Sequence, residues 1–234
     1  MTNKQAAYNE LKAWLNETAD EPPEKMDGFF DRRIYDYEEH MSPWSEHYEY
    51  VATLVPQETR TLLDLGAGSG LELDRIFERF PELDVTAIDL SEKMLGKLSE
   101  KHGDKRLSII RADYFGHDLG AEKFDCVIAF QTLHHFSAEK KAELFKKISR
   151  ALTPDGIYIE CDYIAVSPEI ERLAFSECER RRKRCGIPDD VFVHFDTPLT
   201  SEHELAAMRA GGLSVESANF LENDDHTVII TARR

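Results

Sequence analysis

From residue 60 onward the chain alternates short runs of apolar and β-branched residues with longer stretches whose apolar positions recur at helical spacing. The runs read "TLLDL", "DVTAID", "LSIIRAD", "FDCVIAF" and "IYIECDY", and helices are expected over 71–80, 91–101, 137–152 and 168–185. Strands separated by helices pair side by side rather than as hairpins, so this order predicts a parallel sheet with helices on both faces. Serines mark the helix starts: Ser91 before "EKML", Ser137 before "AEKKAELF", and Ser201 with Glu204 at capping-box spacing. "TPDG" at 153–156 carries the Pro and Gly of a turn. The pattern then changes: "GLSVESANFL", the polar "ENDD" and "HTVIITA" leave too little chain for a helical crossover, so the last two strands pair as an antiparallel hairpin. The expected architecture is α/β, a seven-stranded, mostly parallel sheet whose final strand runs antiparallel among parallel neighbours.

The first sixty residues read differently. Tyr8, Leu11, Trp14 and Leu15 share one face of a short helix, Glu21 to Glu24 (Glu-Pro-Pro-Glu) interrupt it, and Pro43 restarts a helix with Trp44, Tyr48, Val51 and Val55 on one face. This predicts an amino-terminal helical cover, residues 1–59, over one end of a domain spanning 60–234, with a helical insertion at about 165–200. A chain of 234 residues with 41% hydrophobic content can bury one large core. No apolar run reaches membrane-spanning length, and the start lacks the basic-then-apolar order of a secretory leader, so a cytoplasmic protein is expected. The formal charge of −16 disfavours nucleic acid as a partner and favours small-molecule chemistry, as a monomer or homodimer. Four cysteines show no Cys-x-x-Cys pair, and Cys126 and Cys161 sit inside strand-like runs; neither a disulfide framework nor a metal site is indicated. "RRRKR" at 180–184 reads as a solvated last helical turn complementing the helix dipole, with an acidic substrate or tRNA as the alternative.

The chemistry concentrates at "DLGAGSG", residues 64–70. A glycine turn between strand and helix lets backbone approach a ligand closely and offers unpaired N–H groups. The spacing is G-x-G-x-G through Gly66, Gly68 and Gly70, and Leu71 stands where the dinucleotide fingerprint needs glycine or alanine. Asp64, two residues earlier, suits the ammonium of an amino-acid ligand better than a pyrophosphate. Here the sequence resembles the class I S-adenosylmethionine (SAM) dependent methyltransferases, from about residue 60 to the carboxy terminus, and its layout is also similar to carboxy-SAM synthases. The resemblance implies a Rossmann-like fold with SAM as cofactor and S-adenosylhomocysteine as product. It implies that Asp89, ending the second strand in "VTAIDLSEKML", holds both ribose hydroxyls, that Met94 packs on adenine, and that Asp113 of "RADYF" accepts the adenine amino group beside Tyr114. By the same resemblance "FQTLHHF", with Gln131, runs past the methionine moiety and the methyl group.

Methyl transfer from a sulfonium asks only that a nucleophile be aligned and, where needed, deprotonated. Of His134 and His135, only one is expected to face the site, and His135 is the candidate general base. In the aromatic and charged amino-terminal segment, Arg33 and Tyr35 are candidates for the methionine carboxylate, and Tyr37, His40, Trp44 and His47 for an acceptor pocket. Tyr163, Phe192 and His194 are candidates for its far wall. The leading expectation is methyl transfer to O, N or S of a small molecule. Alternatives are an enzyme that modifies SAM itself, which needs a cation for an added carboxylate, and a SAM-binding protein without turnover. A nucleotide oxidoreductase is disfavoured by Leu71 and by the position of Tyr8 and Lys12, the sole Tyr-x-x-x-Lys pair, ahead of the fold.

Overall fold

The computed structural model describes residues 3–222 and 224–234. In chain order the elements are α1 (Asn3–Glu17), β1 (Glu24–Lys25), α2 (Met26–Arg33), α3 (Tyr37–His40), a 3-10 turn (Ser42–Trp44), α4 (Ser45–Leu54), β2 (Thr61–Leu65), α5 (Leu71–Arg79), β3 (Asp84–Asp89) and α6 (Glu92–His102). They continue as β4 (Leu107–Arg111), β5 (Phe124–Phe130), α7 (Ala138–Ala151), β6 (Leu152–Tyr163), α8 (Pro168–Cys185), β7 (Val193–His194), α9 (Ser201–Ala210), β8 (Ser214–Phe220) and β9 (Thr227–Arg233).

The main sheet has the order β4-β3-β2-β5-β6-β9-β8, with β9 antiparallel to both β6 and β8, as the run pattern predicts. The chain builds β2, β3 and β4 outward in one direction and then crosses to β5 on the other side of β2. Loops leaving the carboxy ends of β2 and β5 therefore diverge, and that divergence opens a crevice. Both faces of the sheet are covered, so β2 is apolar after Thr61 except at Asp64: Leu63 and Leu65 pack toward α7 and α9, Leu62 toward α4 and α5.

Three local expectations change. "TPDG" does not end an element; it bulges out of β6, whose pairing with β5 jumps from Phe124↔Leu152 to Cys126↔Ile157. The cap of α9 is Thr200, whose hydroxyl accepts from His203 N at 3.4 Å, one residue before the expected Ser201. Glu204 is not a capping partner: it is buried against the Lys141 ammonium and joins α9 to α7. Ser91 and Ser137 cap α6 and α7 as expected, accepting from Met94 N and Lys140 N.

The amino-terminal cover is fastened by contacts that the hydrophobic pattern does not announce. Glu24 and Lys25 pair antiparallel with His194 and Val193, making a two-stranded sheet between cover and insertion. The basic cluster is only in part a solvated turn: Lys183 is exposed, whereas its arginines are engaged. Arg181, nearly fully buried, donates to Leu15 O at 3.1 Å, Thr18 Oγ1 at 2.9 Å and Glu177 Oε1 at 2.8 Å. Arg180 reaches Ala19 O at 3.3 Å and Arg184 reaches Glu21 O at 3.1 Å. These guanidinium groups satisfy the carbonyl end of α1, a neighbouring helix, in place of their own. Arg181→Ala should lower stability by about 3 kcal/mol and make the chain near residues 18–22 the first site of limited proteolysis; an unchanged melting point and cleavage pattern would show that the arginines do not anchor α1.

Candidate active site

The three glycines of the turn have positive φ, +74° at Gly66, +50° at Gly68 and +76° at Gly70, but they serve different purposes. A Cβ on Gly66 would fall 2.1 Å from Thr132 Oγ1, so this glycine admits the loop after β5. One on Gly70 would fall 2.3 Å from Leu98, so Gly70 seats α5 against α6 and lies outside the cleft. Gly66 and Gly68 are the two that line the cleft. Asp89 ties them to β3: its Oδ1 accepts from Ser91 N at 2.7 Å and its Oδ2 from Gly68 N at 3.0 Å. Burial pushes the Asp89 carboxyl above its ordinary range, against the pull of these backbone donors.

Met94, Asp113, Tyr114 and Gln131 line the same cleft, as expected. Asp113 Oδ1 accepts from Phe115 N at 2.8 Å, and the Lys147 ammonium holds the loop by donating to Tyr114 O at 2.8 Å and Phe115 O at 2.6 Å. Gln131 takes a φ of +49°, rare for a residue with a side chain, and its Nε2 is buried without a hydrogen-bond partner among the described residues.

Other expected positions are not where the sequence suggested. Asp64 does not reach the cleft wall; it is fully buried under the glycine turn beside Glu72, and its two oxygens find no hydrogen-bond partner among the described residues. Burial pushes Asp64 well up and carries Glu72 to about 7, so the pair retains a proton that isolated carboxyls would lose. Tyr35 is 91% exposed and points to solvent. Arg33 lies over the Phe29 ring, 3.6 Å from its centroid, and faces a second cavity away from the glycine turn. Tyr37, expected only on the acceptor side, stands over Gly68 and borders both spaces. His47 is buried 3.2 Å from Asp224, outside either space, and Phe192 walls the cleft.

The second cavity holds about 500 Å³ and is lined by His40, Trp44, Tyr163 and His194, which the sequence proposed, together with Phe29 and Arg33. His194 stacks on Phe29 with ring centroids 3.4 Å apart, and burial lowers its imidazole to about 4. Phe30, Tyr37, Gln131 and His135 border both spaces, so the two adjoin at the end of β5.

Both histidines belong to the cavity, contrary to the expectation of one. His134 Nδ1 lies 2.5 Å from Asp162 Oδ1, and its Nε2 lies 3.5 Å from Asp196 Oδ1. Burial alone would depress His134, but the Asp162 charge and contact, with Asp196, outweigh it and carry the imidazole to about 10. His135 Nδ1 lies 3.3 Å from Phe195 O and 3.4 Å from Asp196 Oδ1. Burial and the neighbouring His134 charge hold His135 well below the ordinary imidazole range. Sequence reasoning missed Asp162, Asp196, Glu72 and Phe30. "CDY" at the end of β6 was the one available signal, an acid closing an apolar strand.

Residues 63–158 match the protein family described as "Methyltransferase domain". That segment is a methyltransferase domain of the class I, SAM-dependent kind. An uncharacterized methyltransferase of Mycobacterium tuberculosis is 28% identical over 128 residues, 53% of this chain and 63% of that protein. The carboxy-S-adenosyl-L-methionine synthase of Nautilia profundicola is 24% identical over 183 residues, 72% of this chain and 75% of its own length. Among solved structures, a provisionally assigned O-methyltransferase of Nostoc punctiforme superposes with a TM-score of 0.71 at 21% identity, over 97% of this chain and 68% of that one. The chain thus spans under two thirds of the mycobacterial relative and shares the overall fold of the cyanobacterial one.

The cofactor of this class, SAM, fits the donor set. Asp89 keeps an accepting lone pair on each oxygen for a vicinal diol, Asp113 offers an acceptor, Met94 and Tyr114 supply apolar surface, and Gln131 has an unspent amide donor. The open part of the cleft is only about 50 Å³, far below the ~300–1,000 Å³ of ordinary ligand pockets. Phe30 and Tyr37, from the amino-terminal segment, are among its walls.

Gly66→Ala should abolish S-adenosylhomocysteine binding and cost about 2–4 kcal/mol of stability, adding overpacking to a strained φ; a calorimetric affinity near wild type would refute the close fit with Thr132. The carboxyl pair makes a pH prediction. Because Glu72 has a folded pKa near 7 against an ordinary 4.5, the protonated form is favoured by folding, and its stabilisation is lost as pH rises through that window. The unliganded protein should lose on the order of 2 kcal/mol from this group between pH 5 and pH 8, and Glu72→Gln should flatten that slope in thermal melts.

Proposed function

We propose that this chain transfers the methyl group of SAM to O, N or S of a small acceptor seated in the second cavity. The observation that carries this reading is the adjacency of the two spaces, with Gln131 and His135 in the wall common to both. SAM, when bound, supplies an electrophilic methyl group on a sulfonium centre. Asp89 would hold the ribose diol, Asp113 with Met94 and Tyr114 the adenine, and Gly66, Gly68 and Gln131 the amino-acid end. Asp64 would act from beneath the turn by supporting it, with no direct contact to that end.

Phe29, Phe30, Trp44 and Tyr163 exclude water from the acceptor, which favours a reaction in which a cationic centre becomes neutral. They also hold the acceptor in line, which is most of what this reaction needs. His135 is kept neutral at the junction, so its ring has an unprotonated nitrogen, and we assign it the activation of the acceptor. A second reading, modification of SAM itself, is supported by the Nautilia relative and by Arg33, whose guanidinium faces the cavity and offers a counter-charge for an added carboxylate.

Calorimetry with S-adenosylhomocysteine on the wild type and on Asp89→Ala tests the donor site. Loss of charge-assisted hydrogen bonds to the diol should weaken binding about 10- to 100-fold, and NAD should not bind either protein. Equal affinity in both would sink the assignment. Incubation with SAM and a pool of small metabolites should release S-adenosylhomocysteine. If mass spectrometry finds instead a heavier SAM derivative, the second reading replaces the first.

A further inference from the structure

We propose that His134 Nε2, His135 Nδ1 and Asp196 Oδ1 form a binding site for one divalent transition-metal ion of the zinc type, set in the wall of the acceptor cavity with its open side toward the acceptor. The three donor atoms lie within 4.8 Å of one another, and both ring nitrogens converge on the same carboxylate oxygen, at 3.5 and 3.4 Å. Ligands about 2.1 Å from a tetrahedral ion stand about 3.4 Å apart, which is the spacing of each nitrogen from the Asp196 oxygen.

Coordination by His135 Nδ1 takes the place of that atom's 3.3 Å contact with Phe195 O, and the surroundings of His134 favour it. His134 turns its other nitrogen, Nδ1, to Asp162 at 2.5 Å, and Asp162 is itself fixed by Leu133 N at 2.7 Å and Tyr163 N at 2.8 Å. A carboxylate behind a histidine in this way sets the tautomer, aims Nε2 at the ion and raises its donor strength. The side chain of Asp196 is half exposed on the cavity wall, so the fourth position opens to the space where the acceptor sits. Two imidazoles and one carboxylate suit zinc or a neighbouring first-row metal better than magnesium or calcium, which prefer all-oxygen sets. Three protein ligands with an open position is the arrangement of a catalytic rather than a structural ion.

In the methyl-transfer reading, on which the role of the ion rests, the acceptor's hydroxyl or thiol would bind at the open position and lose its proton to solvent as the ion lowers its pKa. The new O–CH3 or S–CH3 bond then forms as the donor's S–CH3 bond breaks, leaving a neutral thioether and one released proton. His135 would thus activate the acceptor as a ligand, without itself taking the proton.

The test uses the full chain stripped of metal with a chelator and titrated with Co²⁺. The wild type should take up one equivalent with the intense visible absorption of low-coordinate cobalt, and Zn²⁺ should bleach it. Asp196→Ala, a change on a half-exposed loop, should lose the band while keeping the wild-type melting point and S-adenosylhomocysteine affinity. Asp162→Asn should weaken cobalt about 10- to 100-fold. A wild type that binds S-adenosylhomocysteine but shows no cobalt band overturns the proposal and leaves His134 as an imidazolium between two aspartates. A band of full strength in Asp196→Ala overturns it as well. One equivalent of cobalt in a wild type that fails to bind S-adenosylhomocysteine supports the ion site and refutes the methyl-transfer reading alone.

Discussion

The carboxylate of Asp89 is the tie on which the donor side of the site depends. By accepting from Gly68 N and Ser91 N it joins the end of β3 to the glycine turn after β2 and to the first turn of α6. Gly66 N and Ala67 N add to the same junction by donating to Ile88 O at 2.8 and 3.2 Å. The parallel pairing of β2 with β3 sets these ends at equal height, and the positive φ values of the turn bend its N–H groups back toward the acid. One side chain thus makes a ligand acceptor and fixes the backbone around it, because the geometry of a parallel sheet delivers both to the same edge.

The electrostatics follow from how many acids gather at that edge and behind it. Asp64, Glu72, Asp162, Glu160 and Glu204 are all nearly or fully buried. Isolated carboxylates at such depth would be very costly, and the fold meets the problem in two ways. On the glycine side, Asp64 and Glu72 have no cation in contact and respond by holding protons. On the β6 side, Lys141 neutralises Glu204, and His134 neutralises Asp162, whose carboxyl is thereby held below its ordinary range despite its burial. Tyr158 completes the β6 network by donating to Glu160 at 2.6 Å.

The sheet was legible because its signal is periodic and local. Five apolar runs at regular spacing and a hairpin too short for a crossover leave little choice of topology. The residues that share the cleft were legible as a group because each sits at a fixed offset from a strand end: Gly68, Asp89, Met94 and Asp113 all line it. What failed were statements about direction. Asp64 stops short of the cleft and is buried under the turn that follows it; Tyr35 and Tyr37 are two apart, yet one points to solvent and the other stands over Gly68. The arginines of α8 read as a helix's own charged end because their partners, the carbonyls near Leu15 and Ala19, are more than 160 residues away in sequence. Asp196 was invisible for the same reason: nothing in "VHFDT" says that it meets His134 and His135, far back in the sequence.

The family match covers residues 63–158 and most of the cleft beside the glycine turn, whereas the second cavity is built largely outside it. Phe29, Arg33, His40 and Trp44 come from the amino-terminal cover, and Tyr163, His194 and Asp196 from the end of β6 and the insertion. These two segments are bound to each other by the β1 and β7 pairing, by Met26 N donating to Phe192 O at 3.1 Å, and by the arginine clamp on α1. Phe30 of the cleft wall packs edge-on against Phe29, and Phe29 stacks on His194 in the wall of the second cavity, so one aromatic cluster links the two spaces. Differences in acceptor among proteins with the same donor half should then arise in residues 24–44 and 163–196, the part of this chain that the family pattern leaves free.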